Sequence, residues 1–200
     1  MSTQAATAGT SEPTAEDLVR RIEARHRAAR SLTARFIQTY RSGMLGHEIV
    51  ESGRLALKRP GRMRWDYEEP EEKTFVADGD AFYFYVPEDR QVIVREQGGE
   101  RGVALTLLSG STPILDQFRA ELDESLDGPV RVRLTPLEPD PDVERVWLQA
   151  DDRGLIRSIE ILDVQANRSL FRFDRIRTDR DLDAALFRFE VPEGVDVVQG

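Results

Sequence analysis

The chain has 200 residues, with 28 Lys and Arg against 37 Asp and Glu, which gives a formal net charge of −9. An acidic balance of this size argues against nucleic acids and anionic membrane surfaces as partners. The content of 40% hydrophobic and 32% charged residues is typical of a globular protein, and the absence of cysteine excludes disulfides, thiol nucleophiles and thiolate metal sites.

The N-terminal region contains neither the basic stretch nor the apolar run of a signal peptide. Two compartments fit this observation: the cytosol, or an exported location reached with a signal that has since been removed. Residues 1–13 are small and polar, so we expect a flexible segment there and a single domain over 14–200. Thr14 and Asp17 have capping-box spacing, and the apolar residues after them share one face, which predicts an amphipathic helix over 15–30.

From Leu32 onward the apolar residues recur at every second position, which predicts strands with one buried side and one solvent-facing side. The predicted strands occupy residues 32–41, 49–57, 62–67, 73–77, 81–86 and 91–96. Turn residues such as Arg59-Pro60-Gly61 and Asp78-Gly79 separate them. Short, evenly spaced strands joined by tight turns indicate an antiparallel meander.

An insertion at 102–122 interrupts the strand pattern. The segment 102–108 is apolar without alternation and 113–122 has helical spacing, so we expect two short helices joined by a Gly/Ser-rich hinge at 109–112. An apolar insertion of this kind is either a plug for the core or a lid. Strands resume at 130–134, 143–150, 155–162 and 169–177, with a short last one at 187–191.

These elements predict a mainly β fold: a curved antiparallel sheet or partly closed β-barrel with an apolar interior and with helices across its mouth. The alternation also identifies the side chains that face this interior. They are Leu55, Leu57, Met63, Trp65 and Tyr67, which alternate mostly with basic residues, and Phe82 and Phe84, which alternate with tyrosines. Trp147 and Leu170 are further candidates. Such residues either line a cavity or form an ordinary solid core.

Patterns of catalytic or metal-binding residues are absent from the sequence. The two histidines, His26 and His47, have no companion at metal-ligand spacing, and neither a phosphate-binding loop nor a nucleophile elbow occurs. We expect His26 to be a packing residue of the helix and His47 to be solvated in a loop. The carboxylates cluster in turns, where they are usually solvated. We therefore expect no catalysis, no metal and no cofactor.

Five segments in chain order carry a resemblance to a known family. They are SLTARFIQ at 31–38, GRLALKRP at 53–60, MRW at 63–65, VADG with the following aromatic run at 76–85, and FRFEVPEGVDV at 187–197. In this order they resemble the periplasmic outer-membrane lipoprotein carriers of the LolA type. The resemblance extends over about residues 15–198.

This resemblance implies an unclosed antiparallel β-barrel, that is, a curved sheet with an N-terminal helix and short lid helices over an apolar cavity. It also implies a function without covalent chemistry, in which the cavity binds acyl chains through the seven inner-face residues assigned above. Such proteins take acylated lipoproteins from an inner-membrane ABC lipoprotein-releasing transporter and pass them to an outer-membrane receptor lipoprotein. We accordingly expect a periplasmic monomer whose signal peptide has been removed. In the family, the arginine of a Lys/Arg-Arg-Pro motif holds the lid shut by hydrogen bonds to lid backbone. The corresponding residue is Arg59, which we expect to donate to carbonyls near 102–109.

Three alternatives to a carrier remain open at this level. The first is a lipid-sensing regulatory module on the same scaffold in envelope-stress signalling, although such modules usually carry a second domain after the lipid-binding one. The second is an enzyme, for which no set of nucleophile, base and orienting residue presents itself. The third is a structural or inhibitory barrel with a solid core.

Met63, at a position where the family commonly has Phe, indicates a pocket of altered shape.

Overall fold

A computed structural model of the protein describes residues 13–96, 102–110, 112–123 and 130–200. Apart from Pro13, the segment predicted to be flexible lies outside the described residues. The same is true of the predicted strand break at 97–99 and of one residue of the predicted hinge, Ser111.

The N-terminal helix α1 covers Ala15–Ala28, so the predicted helix is confirmed with an end two residues earlier. Its first turn is fixed by the capping box: the Thr14 hydroxyl accepts the Asp17 N–H at 3.2 Å, and the Asp17 carboxylate accepts the Thr14 N–H at 3.2 Å. Val19 and Ile22 on its apolar face are buried, and the helix packs against the sheet through this face.

The described strands form a single sheet. They are β1 (Ser31–Arg41), β2 (Glu48–Lys58), β3 (Arg62–Glu69), β4 (Lys73–Ala77), β5 (Ala81–Val86), β6 (Gln91–Glu96), β7 (Phe118–Asp123), β8 (Arg131–Pro136), β9 (Arg145–Ala150), β10 (Ile156–Leu162), β11 (Arg168–Thr178) and β12 (Asp196–Gln199). The spatial order is β12-β6-β5-β4-β3-β2-β1-β11-β10-β9-β8-β7. Neighbours are antiparallel except β12 and β6, which are parallel. The two edge strands, β12 and β7, do not pair with each other, so the sheet is unclosed, as predicted.

The sheet requires a glycine at position 53, the first residue of the segment GRLALKRP. Gly53 lies in β2 beside a register shift to β3, and a Cβ at this position would come within 2.0 Å of the Asp66 backbone oxygen. No side chain fits there, so the glycine permits the close approach of the two strands.

Two predicted elements are wrong. Residues 113–122 form a short 3₁₀ helix, Ile114–Asp116, followed by strand β7 instead of a helix. Phe118 and Ala120 alternate with exposed Arg119 and Glu121, and this period of two, together with pairing to β8, outweighs the helical spacing.

The predicted last strand at 187–191 is also absent: a 3₁₀ helix covers Ala184–Phe187, and the last strand is β12, further along the chain. Phe187 is fully buried, whereas Phe189 stacks on Tyr83 at 5.3 Å. The alternation of the two phenylalanines therefore reflects their packing on other elements and not a sheet partner.

A second helix, α2 (Val103–Ser109), lies with α1 on one face of the sheet, which we call the inner face. Val19 and Ile22 of α1, Leu107 and Leu108 of α2, and inward side chains of the strands form one continuous hydrophobic core. In the described part of the chain, no helix is long and apolar enough to cross a membrane.

Candidate functional site

An apolar cavity of about 290 Å³ lies between α2 and the inner face of β3, β4, β5, β10 and β11. Its lining includes Trp65, Tyr67, Phe75, Phe84, Leu105 and Phe171. A smaller cavity of about 30 Å³ adjoins it, and Phe75 and Leu105 line both. The two spaces are therefore parts of one apolar interior, which α2 covers.

Six of the seven residues assigned to the interior by alternation line these cavities. Trp65, Tyr67 and Phe84 line the larger one, and Leu57, Met63 and Phe82 line the smaller one. Leu55, the register partner of Trp65, is buried at 2% exposure in the core and lines neither. In the aromatic run, Phe82 and Phe84 face the interior, as predicted, whereas Tyr83 and Tyr85 contact Phe189 on the outer face.

The prediction that Trp147 and Leu170 face the interior is wrong. Val146 and Leu148, the neighbours of Trp147, belong to the inner core, so Trp147 points outward and lies under the Arg131 and Arg168 guanidinium groups. Leu170 points outward for the same reason, because the next residue, Phe171, faces the cavity. The run Phe171-Arg172-Phe173 contains the missed signal: an arginine between two buried phenylalanines identifies the inner face.

The rim of the larger cavity carries polar groups that the alternation did not reveal. Lys73 lines the cavity, forms an ion pair with Glu51 and lies 4.4 Å from the centre of the Tyr67 ring. The Tyr67 hydroxyl donates to Gln38 Oε1 at 2.8 Å. Burial, followed by the negative charge of Glu51, raises the pKa of Tyr67, so the hydroxyl keeps its proton. An apolar space with a polar rim suits an amphiphilic ligand.

Arg59 joins the C-terminal ends of the two helices. Its side chain donates to three carbonyls: Ala29 at 2.9 Å and His26 at 2.6 Å, both at the end of α1, and Ser109 at the end of α2. The predicted contact with carbonyls near 102–109 is therefore present. The last carbonyls of a helix have no partner within it, so a cation that reaches two helix ends satisfies both.

The electrostatic environment of Arg59 is unfavourable for a free charge. Burial, followed by the nearby positive charge of Arg27, lowers the pKa of the Arg59 guanidinium. The three carbonyl contacts offset this desolvation, because hydrogen bonds to a charged donor are stronger than neutral ones. Loss of the Ser109 contact would leave the guanidinium on α1, held by the carbonyls of His26 and Ala29.

Gly110 ends α2 and makes room for this arginine. It adopts a left-handed conformation with φ of 58°, and its N–H donates to the Thr106 carbonyl at 3.1 Å. A Cβ at this position would lie 3.3 Å from Arg59 Nη2. The glycine therefore serves both the helix end and the contact between Arg59 and Ser109.

The two histidines have the environments expected from the sequence. His26 is 2% exposed and its Nε2 accepts the Ile156 N–H at 3.2 Å, whereas His47 is exposed in the loop between β1 and β2. Among the described residues, no group of three or more His, Asp or Glu side chains is arranged to hold a metal ion.

The fold and the site define a class: proteins with an unclosed antiparallel sheet whose apolar interior is covered by a short helix. A family model described as "Outer membrane lipoprotein carrier protein LolA" matches residues 27–190. An outer-membrane lipoprotein carrier protein of Azotobacter vinelandii is 35% identical over 174 residues, 86% of this chain and 83% of the relative. The chain therefore belongs to the LolA family of outer-membrane lipoprotein carrier proteins.

Solved structures share the fold at lower sequence identity. An uncharacterized conserved protein of Thermus thermophilus matches with a TM-score of 0.55 and 13% identity, over 93% of this chain and 99% of that chain. A chain of the Pseudomonas aeruginosa MucA/MucB complex matches with a TM-score of 0.51 and 15% identity, over 88% of this chain and 61% of that one. At such identity, the likeness concerns the fold alone.

Proposed function

We propose that the protein carries acylated lipoproteins from the inner to the outer membrane by enclosing their acyl chains in the interior beneath α2. The observation that carries this proposal is the apolar interior, with its helical cover, in a chain of the LolA family. The residues proposed to contact the acyl chains are Leu57, Met63, Trp65, Tyr67, Phe82 and Phe84, with Leu55 beside Trp65 on the neighbouring strand.

The size of the cavity requires α2 to move. Ligand pockets for drug-sized molecules span roughly 300–1,000 Å³, so the present volume of about 290 Å³ is at the lower end. Several long acyl chains exceed such a ligand. We therefore interpret this structure as the closed state, in which Leu105 of α2 lines both cavities and occupies part of the space for cargo.

Binding and release have to be balanced. Each buried methylene contributes about 0.8 kcal/mol, so several acyl chains amount to gross stabilisation on the order of tens of kcal/mol. The closed state opposes this by filling the interior with α2 and by the contact between Arg59 and the Ser109 carbonyl. We propose that Arg59 is the switch of this lid, because the contact forms when α2 closes and is lost when cargo displaces α2.

The remaining parts of the proposal rest on family membership. LolA is a family of carriers, and we propose that this chain likewise performs no catalysis. The donor is proposed to be an inner-membrane ABC lipoprotein-releasing transporter and the acceptor an outer-membrane receptor lipoprotein. The place of action is proposed to be the periplasm, reached with a signal peptide that is removed, and the working form is proposed to be a monomer.

The test is to mix the purified protein with a synthetic triacylated lipopeptide and measure the bound mass by native mass spectrometry. Wild type should retain the lipopeptide, and Phe84→Asp, which places a carboxylate in the cavity, should lower retention by about tenfold or more. Tyr85→Asp is the matched control, because Tyr85 faces outward against Phe189. Wild type without bound lipopeptide, or Phe84→Asp with unchanged retention, would contradict the proposal.

A second measurement separates a carrier from the regulatory alternative on the same scaffold. The loaded protein is mixed with acceptor vesicles, and transfer of labelled lipopeptide is followed over time. A carrier releases its cargo to the acceptor, whereas a lipid sensor retains it. The likeness to the MucA/MucB chain concerns the fold and does not favour either outcome.

A further inference from the structure

The turn between β1 and β2, residues 42–47, exposes two adjacent large apolar side chains; we call this turn the hairpin tip. Met44 is 89% exposed and Leu45 is 70% exposed, the two highest values among the large hydrophobic side chains of the described residues. Single exposed apolar residues are common on soluble proteins, whereas neighbouring ones mark an interaction site. These two side chains add nothing to the core, so they are available to a partner.

The end of this hairpin carries no net charge. The hairpin tip contains no Asp, Glu, Lys or Arg, although 32% of the chain is charged. Its flanking residues, Arg41 and Glu48, have opposite charges and are register partners at the ends of β1 and β2. Such a tip has no charge with which to attract a charged protein surface or an anionic lipid, and it suits a neutral apolar medium.

The backbone of the hairpin tip bonds largely to itself. The Ser42 N–H donates to the His47 carbonyl at 2.9 Å, and the Gly46 N–H donates to the Ser42 carbonyl at 3.0 Å. The Leu45 N–H donates to the Ser42 hydroxyl at 3.3 Å. A backbone N–H without a partner is costly to move out of water. These three bonds therefore lower the cost of placing the hairpin tip in an apolar medium, which a wet protein interface does not require.

The neighbouring turn between β10 and β11 supports the hairpin tip. The Gly43 N–H donates to Asn167 Oδ1 at 3.0 Å, and a Cβ on Gly43 would lie 2.4 Å from the Ala166 carbonyl oxygen, so the two turns are in direct contact. The neighbouring turn also exposes an apolar side chain, Val164, at 56%. The two turns therefore present their apolar side chains together from a braced position.

The hairpin tip lies close to the larger cavity. Ser169 lines this cavity and pairs with Tyr40 in β1, four residues before Met44. Four residues of extended chain span at most about 14 Å. Arg59 follows the opposite end of β2, so the hairpin tip and the contact between Arg59 and the end of α2 lie at opposite ends of the interior.

We propose that the hairpin tip inserts Met44 and Leu45 into the surface of a lipid bilayer and so holds the cavity close to that surface. The surface is a zwitterionic one, because the tip is neutral and the net charge of −9 on the chain is repelled by anionic lipids. Two apolar side chains give a weak, reversible attachment. This inference goes beyond the proposed function, because it concerns the bilayer itself and not the acyl chains enclosed in the cavity.

The first test is flotation of the protein, without cargo, with vesicles of phosphatidylcholine and phosphatidylethanolamine. Wild type should float with the vesicles, and Met44→Ser combined with Leu45→Ser should lower the ratio of bound to free protein by about tenfold. The matched control combines Val197→Ser with Val198→Ser, at 51% and 39% exposure on β12, which four strands separate from β2. All four side chains lie at the surface, so both variants should fold.

Several results would overturn the proposal. They are a wild type that stays unbound, a tip variant that binds like wild type, and a β12 variant that loses as much binding as the tip variant. Binding that rises with added phosphatidylglycerol and disappears in salt would mean that basic groups hold the protein. Binding only to vesicles that contain a receptor lipoprotein would assign the hairpin tip to a protein groove.

A fluorescent probe tests insertion itself. The chain has no cysteine, so Met44→Cys provides a single site for an environment-sensitive fluorophore. Its emission should shift to shorter wavelength when vesicles are added, and the same probe on Val197→Cys should not respond. An unchanged emission at position 44 would overturn the proposal. Neither experiment uses cargo, so a failure to bind lipopeptide would contradict the proposed function and leave the role of the hairpin tip standing.

Discussion

The two helices of the inner face are held in different ways. Helix α1 has 14 residues, a capping box, acidic residues in its first turn and basic residues in its last. Helix α2 has seven residues, no side-chain cap at its start and no charged residue in its first or last turn. Its end is instead held by Arg59, which belongs to the turn between β2 and β3.

This difference is the one expected between a structural helix and the lid that α2 is proposed to be. The local signals of α1 favour a helix even before it packs, whereas a seven-residue helix has little stability of its own in water. The position of α2 is therefore decided by its tertiary contacts. When a ligand competes for those contacts, α2 can be displaced while α1 and the sheet remain in place.

The largest expected effect comes from the core contact of α1. Ile22 is 3% exposed, so Ile22→Ala should lower the free energy of unfolding by about 3.5 kcal/mol. The matched change in α2, Leu105→Ala, should cost about 1 kcal/mol, because Leu105 is half-buried and already borders two cavities. Urea unfolding of both variants checks the ranking. Equal losses would mean that α2 is as firmly packed as α1.

The second prediction concerns the pH dependence of stability that follows from the burial of His26 near the end of α1. The pKa of His26 is about 4 in the folded protein against 6.5 for an ordinary histidine, so only the unfolded chain binds a proton between these values. The resulting stabilisation is complete above about pH 6.5 and is lost as the pH falls towards 4, for a total on the order of 3 kcal/mol.

Urea unfolding between pH 7 and 4.5 measures this loss, and His26→Gln should flatten it. The lowered pKa values of Asp17 and Asp151 act below their ordinary value of 3.8, outside this window. An unchanged pH profile in His26→Gln would show that His26 does not cause the loss.

The third prediction concerns Arg59, whose side chain connects the ends of α1 and α2. Arg59→Leu removes three contacts to helix-end carbonyls, and solvent access to the helix ends limits the loss to about 2 kcal/mol. The protein should still fold cooperatively, but discharge of lipopeptide to acceptor vesicles should be impaired, because the closed state no longer competes with cargo. The control is Arg54→Leu, whose side chain is 65% exposed in an ion pair with Glu68. Normal discharge by Arg59→Leu would contradict the switch.

Alternation of apolar residues was sufficient to predict most of the sheet. It identified β4, β5 and β6 with their observed bounds, because turn residues at 78–80 and 87–89 separate these strands. It failed at β7, where Ile114, Phe118 and Leu122 have helical spacing, whereas Phe118 and Ala120 have the period of two that pairing with the next strand, β8, selects. It also failed at Phe187 and Phe189, which pack on other elements at a spacing of two.

The site could be predicted only in part, for a related reason. Cavity residues such as Trp65 and Phe84 follow from alternation within one strand. The contact between the His26 ring and Ile156 joins residues 130 positions apart, so no local pattern reveals it; the sequence indicated only a packing residue. The polar rim formed by Lys73 and Glu51 depends on the pairing of both β2 and β4 with β3, which lies between them. The contact of Arg59 with the lid was anticipated through family resemblance, not from its spacing.

The smallest expected effect tests whether α2 is held more firmly at its end than at its beginning. Gly110→Ala places a Cβ in a left-handed conformation, 3.3 Å from Arg59 Nη2, and should cost about 1.5 kcal/mol. Gly102→Ala is the matched control, since a Cβ there meets no atom within 4 Å and its φ is −52°. Hydrogen exchange of α2 should increase in Gly110→Ala more than in Gly102→Ala. The opposite order would place the more firmly held end of α2 at Gly102, and the role of the contact between Arg59 and Ser109 would be wrong.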